Sequence, residues 1–254
     1  MLHSYFARLS ALGALLLGLC AGLSGCSSDS LDSAPRGSDT GQGGSMARFT
    51  IMGNTLYTVD DHSLRVFDLG NSTNAAAVRV INLGVGIETI FPKEPYLFIG
   101  TQQGMFIFDA TNPQSPRQLS YFQHVVSCDP VVVQGRYAYL TLRQGRTCGG
   151  GVNQLQVVDL QNLQQPRLAQ VYPMTKPYGL GADSTQLYVC DDGLKVFDLR
   201  RSPTLTQREH HRIEAFDVIP NQDLLLVIGA DGLYQYRRGN NTLTQLSMLP
   251  IARP

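Results

Sequence analysis

The chain repeats one phrase, and the interval between copies constrains the fold more than any other feature. DHSLRVFDL, from Asp61 to Leu69, returns as DDGLKVFDL, from Asp191 to Leu199, and in a weaker copy as ADGLYQYRR, from Ala230 to Arg238. Aligned on its acidic position, the phrase marks Asp68, Asp109, Asp159, Asp198 and, in the last copy, Arg237, at intervals of 41, 50, 39 and 39 residues. A period near 42 with strand-like patterning belongs to propellers and related stacked arrays. Stretches such as PYLFIGT, VVVQGRYAYLTL and DLLLVIGADG are rich in β-branched and aromatic residues and are separated by Gly, Asn or Asp, as expected for short strands. Each repeat parses into four strands, with a hairpin at Gly53-Asn54 or Gly135-Arg136 between the first two. The expected fold is all-β: a five-bladed β-propeller of four-stranded antiparallel blades, over roughly residues 46–85, 86–126, 127–175, 176–212 and 213–254.

In such a blade the alternate apolar residues of the phrase face a neighbouring blade, and the recurring aspartate caps a turn with its carboxylate. The pairs Asp60-Asp61 and Asp191-Asp192 precede Ser or Gly in short hairpins and read as turn formers. They lack the spaced acidic run of a calcium loop.

The N-terminus has a different grammar. A short segment ending at Arg8 leads into LSALGALLLGLCAGL, about fifteen apolar residues, a signal-peptide core rather than a membrane span of roughly twenty. It ends in LSGC, Leu23 to Cys26, which resembles the bacterial lipobox. That resemblance implies removal of residues 1–25, lipidation of Cys26 and attachment to a membrane through several acyl chains on one residue. Residues 26–45, rich in Ser, Gly and Asp, bury too little apolar surface to fold and read as a flexible tether. Ser27 and Ser28 follow the cysteine, which under the proteobacterial sorting rule favours the outer membrane of the cell envelope; its periplasmic or surface side stays open.

The units LYVCDDGLKVFDL, PYLFIGTQQGMFIFDATNPQSPRQLSYF and LQVVDLQNLQQPRLAQVY resemble the LVIVD repeat of bacterial propeller-like lipoproteins, over essentially all of residues 46–254. The resemblance implies an exported, lipid-anchored β-propeller and brings no catalytic signature. The fifth copy departs most, with Tyr236-Arg237 in place of the Phe-Asp pair and no proline turn.

Repeat three is about ten residues longer than its neighbours, and the excess, RQGRTCGGGVN from Arg143 to Asn153, falls between its second and third strands. Because strands alternate in direction, the starts of first strands and the loops between second and third strands share one rim. Cys128 and Cys148 therefore lie on the same rim. In an oxidising exported location a bridge between them, closing about 20 residues, adds roughly 3 kcal/mol in the chain-entropy model. Cys190, at the end of a second strand one blade on, shares that face and either competes for the bridge or remains a buried thiol. Three cysteines at these spacings match no standard zinc pattern, and no metal or cofactor is expected. Arg143 and Arg146 present planar forks suited to carboxylate or phosphate, and with Asp129, Tyr178 and Asp192 form the candidate binding surface.

Catalytic motifs are missing: no G-x-S-x-G elbow, no H-E-x-x-H, and no phosphate-cradling loop around Gly149-Gly150-Gly151. The enzymatic alternative is a glycosidase-like hydrolase in which Glu88, Asp129 and Glu214 converge at the channel mouth. REHHR, from Arg208 to Arg212, reads as a solvated loop, since adjacent side chains on a strand would point apart. Twenty basic residues balance twenty acidic ones, and no basic block occurs, so the charge pattern of nucleic-acid binding is missing. The expected function is an exported interaction or scaffold module, bound to the membrane by its lipid and to a protein, small-molecule or glycan partner at one propeller face.

Overall fold

The computed structural model describes residues 43–70, 77–127, 130–145, 152–239 and 242–251. These form twenty strands and no helix. Blade 1 holds β1 (Phe49–Met52), β2 (Thr55–Val59), β3 (Ser63–Asp68) and β4 (Arg79–Asn82); blade 2 holds β5 (Ile87–Lys93), β6 (Tyr96–Thr101), β7 (Gly104–Asp109) and β8 (Arg117–Gln123). Blade 3 holds β9 (Val131–Gln134), β10 (Tyr137–Leu142), β11 (Gln154–Asp159) and β12 (Arg167–Pro173). Blade 4 holds β13 (Pro177–Ala182), β14 (Gln186–Asp191), β15 (Leu194–Asp198) and β16 (Thr206–His211); blade 5 holds β17 (Ala215–Asn221), β18 (Leu224–Gly229), β19 (Gly232–Arg238) and β20 (Leu243–Pro250). Every blade is an antiparallel meander with its strands in chain order, so the fold is a five-bladed β-propeller. Arg208 to His211 of REHHR are strand rather than loop. His210 and His211 close β16, and its pairing with β15 orders what a polar sequence left unassigned.

The repeated aspartate has the structural role expected of it. Asp68, Asp109, Asp159 and Asp198 each accept the N–H two residues on, from Gly70, Thr111, Gln161 and Arg200, at 2.8–2.9 Å. The carboxyls of Asp109, Asp159 and Asp198 stand below the usual range, held there first by side-chain hydrogen bonds from Thr111, Arg136 and Arg200 respectively, with these backbone bonds adding to the pull. Gly53 and Gly135, at φ 56° and 59°, make the left-handed hairpin turns between first and second strands.

Apolar cores seal four seams. Tyr57, Leu64 and Val66 of blade 1 meet Leu97, Ile99 and Phe108 of blade 2, and Phe98, Met105 and Ile107 meet Ala138, Leu140 and Val158. Tyr139, Leu155 and Val157 meet Leu187, Val189 and Phe197, and Tyr188, Leu194 and Val196 meet Leu225, Val227 and Tyr236. Each seam thus packs the leading face of one blade on the trailing face of the next. Blades 5 and 1 share no such core among the described residues.

They are linked instead by a polar strap at the axis. Ser45, read from the sequence as the last tether residue, is 1% exposed. Its hydroxyl donates to Asp217 Oδ1 (3.1 Å) and accepts the Leu180 N–H (2.8 Å), while the Ala47 carbonyl accepts the Ile90 N–H (2.9 Å). Arg48 donates to the Ile87 and Glu88 carbonyls. Gly44 has no room for a side chain, since a Cβ would lie 2.2 Å from Asp217 Oδ2. The ordered domain therefore takes in Gly43–Arg48, which ties blades 2, 4 and 5 together.

Candidate functional site

First strands begin at the upper mouth of the axial channel, and second-to-third strand loops reach the same rim. A cavity of about 240 Å³ opens there, lined by Met46, Arg48, Glu88, Thr89, Pro130, Arg143, Pro177 and Tyr178. A cleft of about 370 Å³ adjoins it through Tyr178 and is lined further by Lys176, Asp192, Arg212 and Glu214. Tyr178 is the shared wall.

Its ring carries the distinctive geometry of the mouth. The Arg143 guanidinium lies over it at 4.4 Å from the centroid, Lys176 Nζ at 5.6 Å, and Phe216 packs against it at 5.5 Å between centroids. Two cations on one electron-rich ring form a platform with a cationic rim. The supports are local and specific. Thr141 Oγ1 donates to the Tyr178 carbonyl (2.6 Å), and Ser127 Oγ to the Arg143 carbonyl (3.0 Å). Asn153, at the far base of the long loop, accepts the Gln144 N–H and donates to the Thr175 carbonyl. The bases of the blade 3 insertion are thereby tied to the segment that carries Tyr178.

The two aspartates of the DDG hairpin divide their tasks. Asp191, with its side chain wholly buried, accepts the N–H groups of Thr175 (2.9 Å) and Lys176 (2.6 Å) and pairs with Lys195 at 2.7 Å. It clamps the strand entry that positions Tyr178. Asp192, at φ 49°, lines the larger cleft, and its carbonyl meets His210 Nε2 at 2.5 Å. His211 turns to Glu209 (2.8 Å) and to the edge of Tyr236, so the adjacent histidines do not converge.

Of the binding residues read from the sequence, Arg143, Tyr178 and Asp192 come to this mouth. Arg146 and Asp129 lie outside the described residues, as do Cys26, Cys128 and Cys148. Cys190 is a free, buried thiol in the seam between blades 4 and 5, and burial pushes its pKa well up. Of the hydrolase alternative, Glu88 lines the smaller cavity and Glu214 the larger cleft. No group of three His, Cys, Asp or Glu among the described residues could hold a metal ion.

At the opposite end a cavity of about 210 Å³ is lined by Gly43, Gly44, Phe91, Pro92, Gly181, Ala182 and Pro220, among others. Between the mouths lies Asp217, which sequence reasoning missed. Burial raises its carboxyl pKa to about 6, against the lowering pull of hydrogen bonds from Val218, Ser45 and Met46. Gly179 packs on it so closely that a Cβ would lie 2.2 Å from Oδ1.

No known family profile matches the chain, and no curated protein sequence is similar to it. Solved structures do share its fold. A putative 6-phosphogluconolactonase from Bacteroides fragilis matches with a TM-score of 0.61 at 16% identity, covering 80% of this chain and 69% of that one. The periplasmic gluconolactonase PpgL of Pseudomonas aeruginosa matches at 0.59 and 18%, covering 78% and 68%. BamB from Moraxella catarrhalis matches at 0.57 and 12%, covering 73% and 54%. At these identities the likeness concerns the β-propeller fold alone.

Proposed function

We propose that this protein is a lipid-anchored interaction module of the bacterial cell envelope, tethered at Cys26, which presents the Arg143–Tyr178 mouth to a protein, small-molecule or glycan partner. The observation that carries the reading is the geometry of that mouth: the Arg143 guanidinium lies 4.4 Å and Lys176 Nζ 5.6 Å from the centroid of the Tyr178 ring, which walls two adjoining cavities. The LSGC motif supports the anchor, the likeness to LVIVD-repeat lipoproteins supports export, and Ser27-Ser28 supports the outer membrane.

The test is capture from envelope extract by the full lipidated protein in detergent, comparing wild type with Arg143→Ala and with Arg201→Ala. Arg201 is exposed on the lower rim and serves as the control. Arg143→Ala should lower recovery of the captured partner roughly tenfold, the scale for losing a cation from an aromatic site, with the melting temperature unchanged. Undiminished capture refutes the site. Anchoring is tested separately by labelled palmitate, which Cys26→Ser should fail to take up.

A channel-facing hydrolase is the second reading, favoured by the positions of Glu88 and Glu214 in two cavities that meet at Tyr178. Its test is turnover of sugar lactones or glycosides that Glu88→Gln or Glu214→Gln abolishes. Turnover untouched by both variants removes it.

A further inference from the structure

The upper mouth leaves positive charge unanswered. Several cations of the blades are matched: Arg65, Arg136, Lys195, Arg200 and Arg238 each pair with an aspartate. At the mouth, Arg143, Lys176 and Arg212 pair with no carboxylate among the described residues, and Arg143 and Lys176 lie over the Tyr178 ring instead. A cation over a ring spends no conventional hydrogen bond on it, so Arg143 keeps its planar fork of donors for a ligand. Arg48 brings a second guanidinium to the same cavity of about 240 Å³. Its Nε and Nη2 donate to the Glu88 and Ile87 carbonyls at 3.1 and 2.8 Å, which leaves Nη1 for a further acceptor.

The other walls narrow what fits. Pro130, just before β9, and Pro177, the first residue of β13, carry no N–H. These strand entries offer an anion no backbone donor, so the guanidiniums must supply the bonds. Met46 and Tyr178 complete the apolar lining. Arg48 and Arg143 stand against one carboxylate, Glu88, among the described lining residues, which leaves one positive charge in surplus. That surplus suits a monoanionic carboxylate better than a phosphate monoester, which carries about −1.5 to −2 at neutral pH. At about 30 Å³ for each water-sized group, the cavity holds on the order of eight non-hydrogen atoms.

The adjoining cleft of about 370 Å³ is balanced: Lys176 and Arg212 share its lining with Asp192 and Glu214. A second anionic group has no excess of cations to meet there. Hydroxyls fit it, because each one both donates to a carboxylate and accepts from an ammonium or guanidinium. Tyr178 walls both spaces, so one ligand can reach from the cavity into the cleft past its ring.

We infer that the upper mouth binds a sugar acid, with its carboxylate held by Arg143 and Arg48 in the smaller cavity and its hydroxyls in the cleft. The inference rests on the reading of this mouth as the binding face, and it names the class of ligand. A free sugar acid and the uronate end of a glycan present the same chemistry.

The experiment titrates the full lipidated protein in detergent, by calorimetry, with glucuronate, methyl glucuronide, glucose, glucose 6-phosphate, butyrate and N-acetyl-alanyl-alanine. Glucuronate should bind roughly tenfold or more tightly than glucose, which lacks the carboxylate, and than butyrate, which lacks the hydroxyls. Arg143→Ala should weaken glucuronate binding about tenfold, and Arg143→Lys, which keeps the charge and loses the fork, about threefold. Arg201→Ala should leave it unchanged, and all three variants should melt with the wild type. Methyl glucuronide tells the sources apart: undiminished binding identifies a glycan end, and its loss a free sugar acid. No saturation by glucuronate at about 10 mM, equal affinity for glucose or butyrate, or tighter binding of the phosphate ester or the peptide overturns the inference. Arg143-dependent capture from envelope extract without glucuronate binding removes the sugar acid and keeps the mouth as a binding face. Glucuronate binding that Arg143→Ala leaves intact overturns the placement at this mouth.

Discussion

Asp217→Asn isolates the axial strap from the rest of the stability of the fold. The wild-type carboxyl lies among Ser45, Gly44 and Gly179, 9% exposed, with its pKa raised from 3.8 to about 6 because burial penalises the charged form more than three hydrogen bonds reward it. An acid whose folded pKa stands above its unfolded value holds its proton more tightly in the native state, so protonation favours folding. The stabilisation is whole below about pH 4 and is lost as the pH rises through about 6. At about 1.4 kcal/mol per pKa unit, the loss amounts to about 3 kcal/mol between pH 4 and pH 7. The asparagine variant keeps the shape and a carbonyl acceptor but does not titrate. Urea unfolding followed by far-UV circular dichroism suits a protein without tryptophan, and the quantity to plot is wild-type minus variant stability against pH. Asp60, Asp183 and Asp198, whose lowered pKa values act in the opposite sense, cancel in that difference. The difference should fall by about 3 kcal/mol from pH 4 to pH 7 and then level off. A difference that stays flat, or rises with pH, refutes the buried, strap-bound carboxyl.

Gly179→Ala would push a methyl to 2.2 Å from Asp217 Oδ1 and 2.9 Å from its Cα. Denaturation should show a loss of roughly 2–3 kcal/mol, as for overpacking in a rigid core, and a loss below the error of the measurement contradicts the tight axis. Cys128 and Cys148 should be joined in exported protein, by peptide mapping without reductant, while Cys190 resists alkylation until the protein unfolds. Recovery of Cys128 and Cys148 as free thiols rejects the bridge.

Much of the fold was legible because it is local and repeated. The 39-to-50-residue period, the two-residue alternation and the aspartate at the end of the third strand in blades 1 to 4 all follow from short-range grammar, and each of these aspartates binds a backbone group two residues away. The axis followed a different rule. Ser45 and Asp217 stand 172 residues apart, and neither belongs to a repeated pattern. A serine at the end of a Ser-Gly run carries the composition of a tether until a carboxyl and a strand N–H fix it. The histidines of β16 misled for a related reason: an outer strand facing water is polar enough to look like a loop.

The upper mouth was legible in position, since strand direction alone puts second-to-third strand loops and first-strand starts on one rim. Its internal geometry was not. Nothing in the spacing of Arg143 and Tyr178 announces a guanidinium 4.4 Å from a ring, nor that Asp191 rather than Asp192 holds the segment beneath it. The seam between blades 5 and 1 is an intermediate case. Its signal was present in the aligned repeats, as Thr58 and Gln235 at places where the other copies are apolar, but only the fold brings together the meaning of two departures so far apart in the chain, at the one seam without an apolar core among the described residues. A repeat protein thus carries its own control: the positions where one copy breaks the common pattern are where the chain faces something other than its next blade.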